Sequence, residues 1–141
     1  MCDEKQKFIE DAWQAEWERI EAAGREALKL LSRGFEVFGS HYDGDKTDWI
    51  AGTPDRNHLW TLQVKSTNRG GSHGLPTVPL RYGHSRTVNP YRRYKKGDFD
   101  FIVGYDLFTN TAYVWSWKEV EHLKATVTIC PEAAERWDKL L

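Results

Sequence analysis

Asp48 stands directly before the apolar stretch WIAG, and fourteen residues separate it from Gln63 in LWTLQVKS, with Lys65 two places further on. Strand side chains alternate, so LWTLQVKS turns Trp60, Leu62 and Val64 to one face and Thr61, Gln63 and Lys65 to the other. The turn-rich GTPDRN between the two apolar stretches closes a hairpin. That hairpin brings the Asp48 carboxylate beside Gln63 and Lys65, so that two oxygen donors and one amine surround a common point. A hard divalent cation takes oxygen ligands and keeps several waters. Asp48, the Gln63 amide, the backbone carbonyl of Val64 and phosphate oxygens together suffice for Mg2+, or for Mn2+ in its place. The lysine then either orients or deprotonates an attacking water with a depressed pKa, or stays charged and stabilises a developing phosphorane.

The charge distribution suits that chemistry. The formal net charge is −1, from 20 basic and 21 acidic residues, yet residues 64–97 hold eight basic residues and no acidic one. Residues 1–63 carry eight basic against thirteen acidic, and residues 98–141 carry four against eight. Within the basic stretch Arg69, Arg81, Arg86, Arg92, Arg93, Lys95 and Lys96 alternate with His73, His84 and tyrosines. Arginine and lysine neutralise phosphates while tyrosine and histidine stack or hydrogen-bond, so these residues are candidate contacts to double-stranded DNA.

The elements that must position these groups follow from periodicity. From about Lys5 to Arg33 the chain reads as a helix in which Trp13, Trp17, Ile20, Gly24, Ala27 and Leu31 recur at three- and four-residue spacing, and Gly34 ends it. FEVFGS is a first strand, DWIAG a second and LWTLQVKS a third. About thirty residues of little regular periodicity follow, longer than an ordinary connection. FDFIVGYD and AYVWSW, joined through TNT, form an antiparallel hairpin, WKEVEHL a short helix, and Pro131 opens a terminal helix. The order fits an α/β domain with a mixed sheet flanked by helices, spanning residues 1–141 as one unit with a basic loop over 66–97.

Other chemistries find less support. Cys2 and Cys130 have no metal-ligand spacing, and the five histidines show no HxH or HExxH pattern. Asp43 and Asp45 read as turn residues, and Asp98 and Asp100 as turn and strand-edge residues. With 40% hydrophobic residues the chain can offset its folding entropy. No apolar run reaches membrane-spanning length and MCDEKQKF is too polar for a secretory segment, so a soluble, cytoplasmic protein is expected.

The arrangement D-x14-Q-x-K on paired strands, after a helix ending LLSRGFEV and before a basic loop, resembles the PD-(D/E)XK nuclease superfamily. QVKST is similar to the QxK form of the small homing endonucleases associated with group I introns, and also to the ExK strand of Holliday junction resolvases. The resemblance covers roughly residues 20–117 and implies a restriction-endonuclease-like fold in a prokaryotic or phage setting. It makes Asp48 a metal ligand, Gln63 a second ligand or ligand positioner and Lys65 the water-activating residue. Thr47 stands where the motif has proline, and Gln63 removes one negative charge. The superfamily often adds a helix glutamate facing the site. Glu21 and Glu16 lie nearest the apolar face by helical angle, and Glu21 is the choice here.

The implied function is a Mg2+-dependent DNA endonuclease of homing type that leaves a 5′ phosphate. One site holds one scissile phosphate, so cutting both strands implies a homo-oligomer, dimer or tetramer. A Holliday junction resolvase, or a non-catalytic DNA-binding module of the same fold, are the alternatives.

Overall fold

The computed structural model describes residues 3–39, 48–68, 74–82 and 92–141. A thirty-residue helix, α1 (Asp3–Ser32), leads into β1 (Glu36–Gly39), β2 (Trp49–Gly52) and β3 (Leu59–Ser66). Beyond the basic stretch come β7 (Phe101–Asp106) and β8 (Thr111–Ser116). These five strands form a mixed sheet in the order β1-β2-β3-β7-β8, antiparallel throughout except for the parallel β3–β7 pair. Every residue of β7 is buried, as a strand covered on both faces requires.

The helix stops where the sequence places its end. Gly34 adopts φ 87°, and the Gly34 and Phe35 N–H groups return to the Leu31 and Leu30 carbonyls in a Schellman motif. The face that α1 buries differs from the expected one. Trp13, Trp17, Ile20 and Leu31 are exposed, while Ala22, Glu26 and Leu30 are fully buried against the sheet. Those three recur every four residues, on nearly the opposite side of the helix from the tryptophans. Ala22 and Leu30 pack with Leu62, Val64, Phe101, Val103 and Tyr105 in one core layer.

The other sheet face is covered differently from the expected flanking helices. Part of the long basic stretch is ordered as strands: β4 (Thr77–Pro79) pairs with β9 (Thr126–Thr128), and β5 (Arg81–Tyr82) pairs with β6 (Arg92–Arg93). Val78 of β4 lies so close over Gly104 that a Cβ there would come within 2.2 Å of it. Only glycine in β7 lets β4 reach the sheet. The short helix α2 (Trp117–Val120) forms as expected. The expected terminal helix is instead two 3-10 turns, Pro131–Ala133 and Trp137–Leu140. Between them Glu135 takes φ 52°, which breaks helical continuity.

Candidate functional site

The chemistry-bearing residues meet where β2 and β3 part. Pairing of the two strands ends at Trp49 and Leu62, with the Asp48 N–H donating to the Leu62 carbonyl at 2.8 Å. The next β3 N–H on that edge belongs to Val64, and it has lost its β2 partner. The Asp48 Oδ2 takes its place, accepting the Val64 N–H at 2.7 Å and the Gln63 Nε2–H at 2.8 Å. Gln63 Nε2 also donates to the Val64 carbonyl at 3.3 Å, so this backbone oxygen, a candidate ligand from the sequence, carries a hydrogen bond.

Helix α1 completes the cluster with a residue that sequence reasoning missed. Both oxygens of the fully buried Glu26 carboxylate, and the Oε1 of Gln63, have no hydrogen-bond partner among the described residues. Burial pushes the Glu26 carboxyl well above the usual carboxylate range, and the nearby Asp48 charge adds to the shift. Trp49, next to Asp48, donates its Nε1–H to the Ala23 carbonyl at 3.0 Å, tying α1 to β2 one turn before Glu26.

Glu21 is elsewhere. It is paired with Arg25 at 2.6 Å, and Arg25 in turn reaches Asn110 and the Leu107 carbonyl in the β7–β8 connection. At about 100° per residue Glu21 lies roughly 140° around α1 from Glu26. The error came from taking the tryptophan stripe as the core face. The available signal was a glutamate in register with Ala22 and Leu30.

Lys65 follows Gln63 by two residues and shares its face of β3. Its Nζ lies over the Tyr94 ring, 5.8 Å from the centroid. Burial holds the Lys65 pKa below the usual lysine value; the Asp48 carboxylate opposes this, and Arg19 of α1 adds to the lowering. Tyr94 itself is buried and packs edge-to-face on Phe99 at 5.0 Å, so the chain leaving β6 forms one wall beside the lysine.

The basic residues that can be placed lie on that same connection. Arg81 and Arg93 sit opposite each other in the β5–β6 ribbon and are exposed. Their guanidiniums reach the Lys124 and Leu123 carbonyls at 3.5 and 3.2 Å, which anchors the ribbon. Arg92 enters β6 through its backbone, and Lys95 and Lys96 are exposed just beyond it. Arg69, His73, His84 and Arg86 lie outside the described residues, as do Asp43 and Asp45. Asp98 accepts the Lys95 N–H at 2.7 Å, and Asp100 accepts the Thr61 N–H at 2.8 Å, both in turn and strand-edge roles.

The donor set fits a hard cation. Among the described residues no three His, Cys, Asp or Glu side chains gather as a metal cluster. Asp48 holds the Gln63 amide and lies near enough to Glu26 for its charge to act there, and among the described residues three buried oxygens, two of Glu26 and one of Gln63, have no donor. Oxygen-only ligands of total charge −2 match Mg2+ or Mn2+ rather than Zn2+, which favours nitrogen and sulfur. A cation would also reverse the electrostatic penalty on Glu26.

The fold has a solved counterpart. A bacterial homing endonuclease, I-Ssp6803I, superposes with a TM-score of 0.78 at 20% sequence identity, over 89% of this chain and 92% of that one. The chain matches no protein-family model and no curated protein sequence. The likeness shows the mixed α/β architecture expected from the sequence. Among the described residues no helix is long and apolar enough to cross a membrane.

Proposed function

We propose that this protein is a divalent-cation-dependent DNA endonuclease of the PD-(D/E)XK type, site-specific in the manner of a homing enzyme. One observation carries the reading. The buried Glu26 carboxylate has no hydrogen-bond partner among the described residues and lies close enough to feel the charge of Asp48, which borders the strand pair that also holds Gln63 and Lys65. A fully buried carboxylate without donors is costly, and it persists where binding demands it.

Glu26, Asp48 and Gln63 would hold Mg2+ or Mn2+. When bound, the cation supplies Lewis-acid polarisation of the scissile phosphate and neutralises its charge. Lys65, with its pKa lowered by burial, is suited to take a proton from the attacking water at Nζ. In-line attack at phosphorus then displaces the 3′ oxygen and leaves a 5′ phosphate. The β5–β6 ribbon, with Arg81 and Arg93, and the following Lys95 and Lys96 would seat the duplex backbone beside this point. Because phosphate contacts release counterions, affinity for duplex DNA should fall steeply with salt.

The test is cleavage of duplex and four-way-junction DNA with Mg2+, beside Lys65→Ala. The reading expects 5′-phosphate products from wild type and a loss of about 100-fold or more in the variant. Preference for the junction would redirect the proposal to a resolvase. Salt-sensitive binding without cleavage would identify a non-catalytic module. Equal cleavage by the two proteins would remove Lys65 from the mechanism.

A further inference from the structure

The first helix carries an apolar stripe that the described residues leave exposed. Trp13 is 73% exposed, Trp17 65%, Ile20 55% and Leu31 54%, and Gly24 and Ala27 complete the same face. The spacing from Trp13 to Leu31 is 4, 3, 4, 3, 4, the heptad seam of a paired helix. The stripe lies nearly opposite Ala22, Glu26 and Leu30, so the same helix delivers Glu26 to the candidate site and turns this seam outward. The exposed Trp13, Trp17, Ile20, Leu31 and Ile9 present on the order of 600 Å2, at the upper end for a monomer's largest apolar patch and near the roughly 800 Å2 per partner of a standard interface.

We propose that two copies of this chain associate through α1, as an antiparallel helix pair about a two-fold axis on the seam side, level with position 22. Three features favour a second copy in that orientation. The first is size. The antiparallel register lays Trp17 on Ala27 of the second copy and Ile20 on its Gly24, so in the centre bulky residues meet small ones, while Trp13 meets Leu31 at each end. A parallel pair would crowd tryptophan on tryptophan and leave a gap at Gly24. The second is charge. Residues 11–21 hold four acidic side chains and one basic, whereas residues 23–33 hold three basic and one acidic, so antiparallel copies bring unlike halves together.

The third is Gly24 itself. Glycine is unfavourable inside a helix, and a Cβ added here would meet nothing within 4 Å. Packing among the described residues therefore gives no reason for it. A close helix approach by a second copy does, since only a small residue lets Ile20 of that copy reach the backbone. The pairing rests on α1 alone and not on the nuclease reading. It would place the second copy behind the sheet, leaving the Asp48 side open.

Sedimentation equilibrium on the full chain tests it. Wild type is expected to be a dimer or higher even-numbered assembly at micromolar concentration. Trp13→Glu/Trp17→Glu should weaken association by at least about 100-fold while circular dichroism stays unchanged. Gly24→Gln supplies a second arm. It should raise the melting temperature of the dilute monomer, because it removes a helix-breaking residue, yet weaken the dimer. Spin labels at Glu10→Cys, with Cys2 and Cys130 changed to serine, report orientation. They should lie about 36 Å apart in the antiparallel pair, against roughly 20 Å or less in a parallel one. A monomeric wild type, self-association indifferent to the tryptophan changes, or the short label distance would each overturn the proposal. The first of these would assign the stripe to a different partner.

Discussion

The Asp48 carboxylate accepts the Val64 backbone N–H at 2.7 Å, where β2 has ended and β3 runs on without it. One side chain thus does two things: it closes the fork between the strands and holds an oxygen donor at the candidate cation position.

Those two roles separate by substitution. Asp48→Asn keeps an acceptor oxygen for Val64 and should leave stability within about 1 kcal/mol, while cation binding is lost with the charge. Asp48→Ala orphans the Val64 N–H as well, at a cost of about 1–3 kcal/mol. Urea unfolding beside Mn2+ titration checks both. Similar stability losses in the two variants would mean that the bond to Val64 is not what stabilises the fork.

Glu26 should show the opposite balance. Its carboxylate is fully buried without a donor among the described residues, so Glu26→Gln is expected to stabilise the protein in chelator, by on the order of 1–3 kcal/mol at neutral pH, and to abolish Mn2+ binding. Glu21→Gln should do neither, since Glu21 is engaged by Arg25 at the helix surface. Thermal melts with and without Mn2+ decide the matter. A Glu26→Gln protein that binds Mn2+ like wild type would end the case for this residue as a ligand.

Gln63→Glu tests why an amide stands at this position. The Gln63 Nε2–H donates to Asp48 at 2.8 Å, and a carboxylate there would put two like charges in contact, with the Asp48 charge already acting on Glu26. In chelator the variant should melt several degrees below wild type. With Mg2+ it should recover more than wild type gains, because the added charge strengthens cation binding. A Mg2+ response no larger than that of wild type would contradict the shared site.

Away from the site, Glu135 ties the C-terminal turns to α1. It accepts from Lys29, from the Ala112 N–H at 3.1 Å and from Trp137 Nε1 at 2.7 Å. Burial works to raise its carboxyl, but these three partners prevail and hold it below the usual glutamate range. A depressed folded pKa gives stability that is present above the unfolded value of about 4.3 and lost as pH falls through the folded one. Glu135→Gln should therefore cost about 1–3 kcal/mol at pH 7, and the difference from wild type should shrink as pH falls below about 4. A difference that stays constant with pH would show that the carboxylate charge is not involved.

The local elements were legible because their signals are local. Alternation in LWTLQVKS leaves Gln63 and Lys65 only one face to share, and the short turn after WIAG brings Asp48 to them. Gly34 marked the end of α1 for a reason contained in its own backbone. The basic stretch was harder. β4 pairs with β9 nearly fifty residues away, through segments of three residues that carry no periodicity of their own. The 3-10 turns after Pro131 replace a helix because Glu135 bonds to Lys29 and Ala112, contacts with no signature nearby in the chain.

The sequence by itself determined the hairpin that gathers Asp48, Gln63 and Lys65, since strand period and turn length admit one arrangement. The tertiary structure alone decided which face of α1 meets the sheet. Both faces of that helix carry apolar residues, and periodicity cannot rank them. The sheet accepts the small Ala22 and Ala23 beside Leu30, where the helix must approach closely, and two tryptophans would hold it away. That choice put Glu26 beside Asp48, left Glu21 with Arg25, and turned Trp13 and Trp17 to the outside.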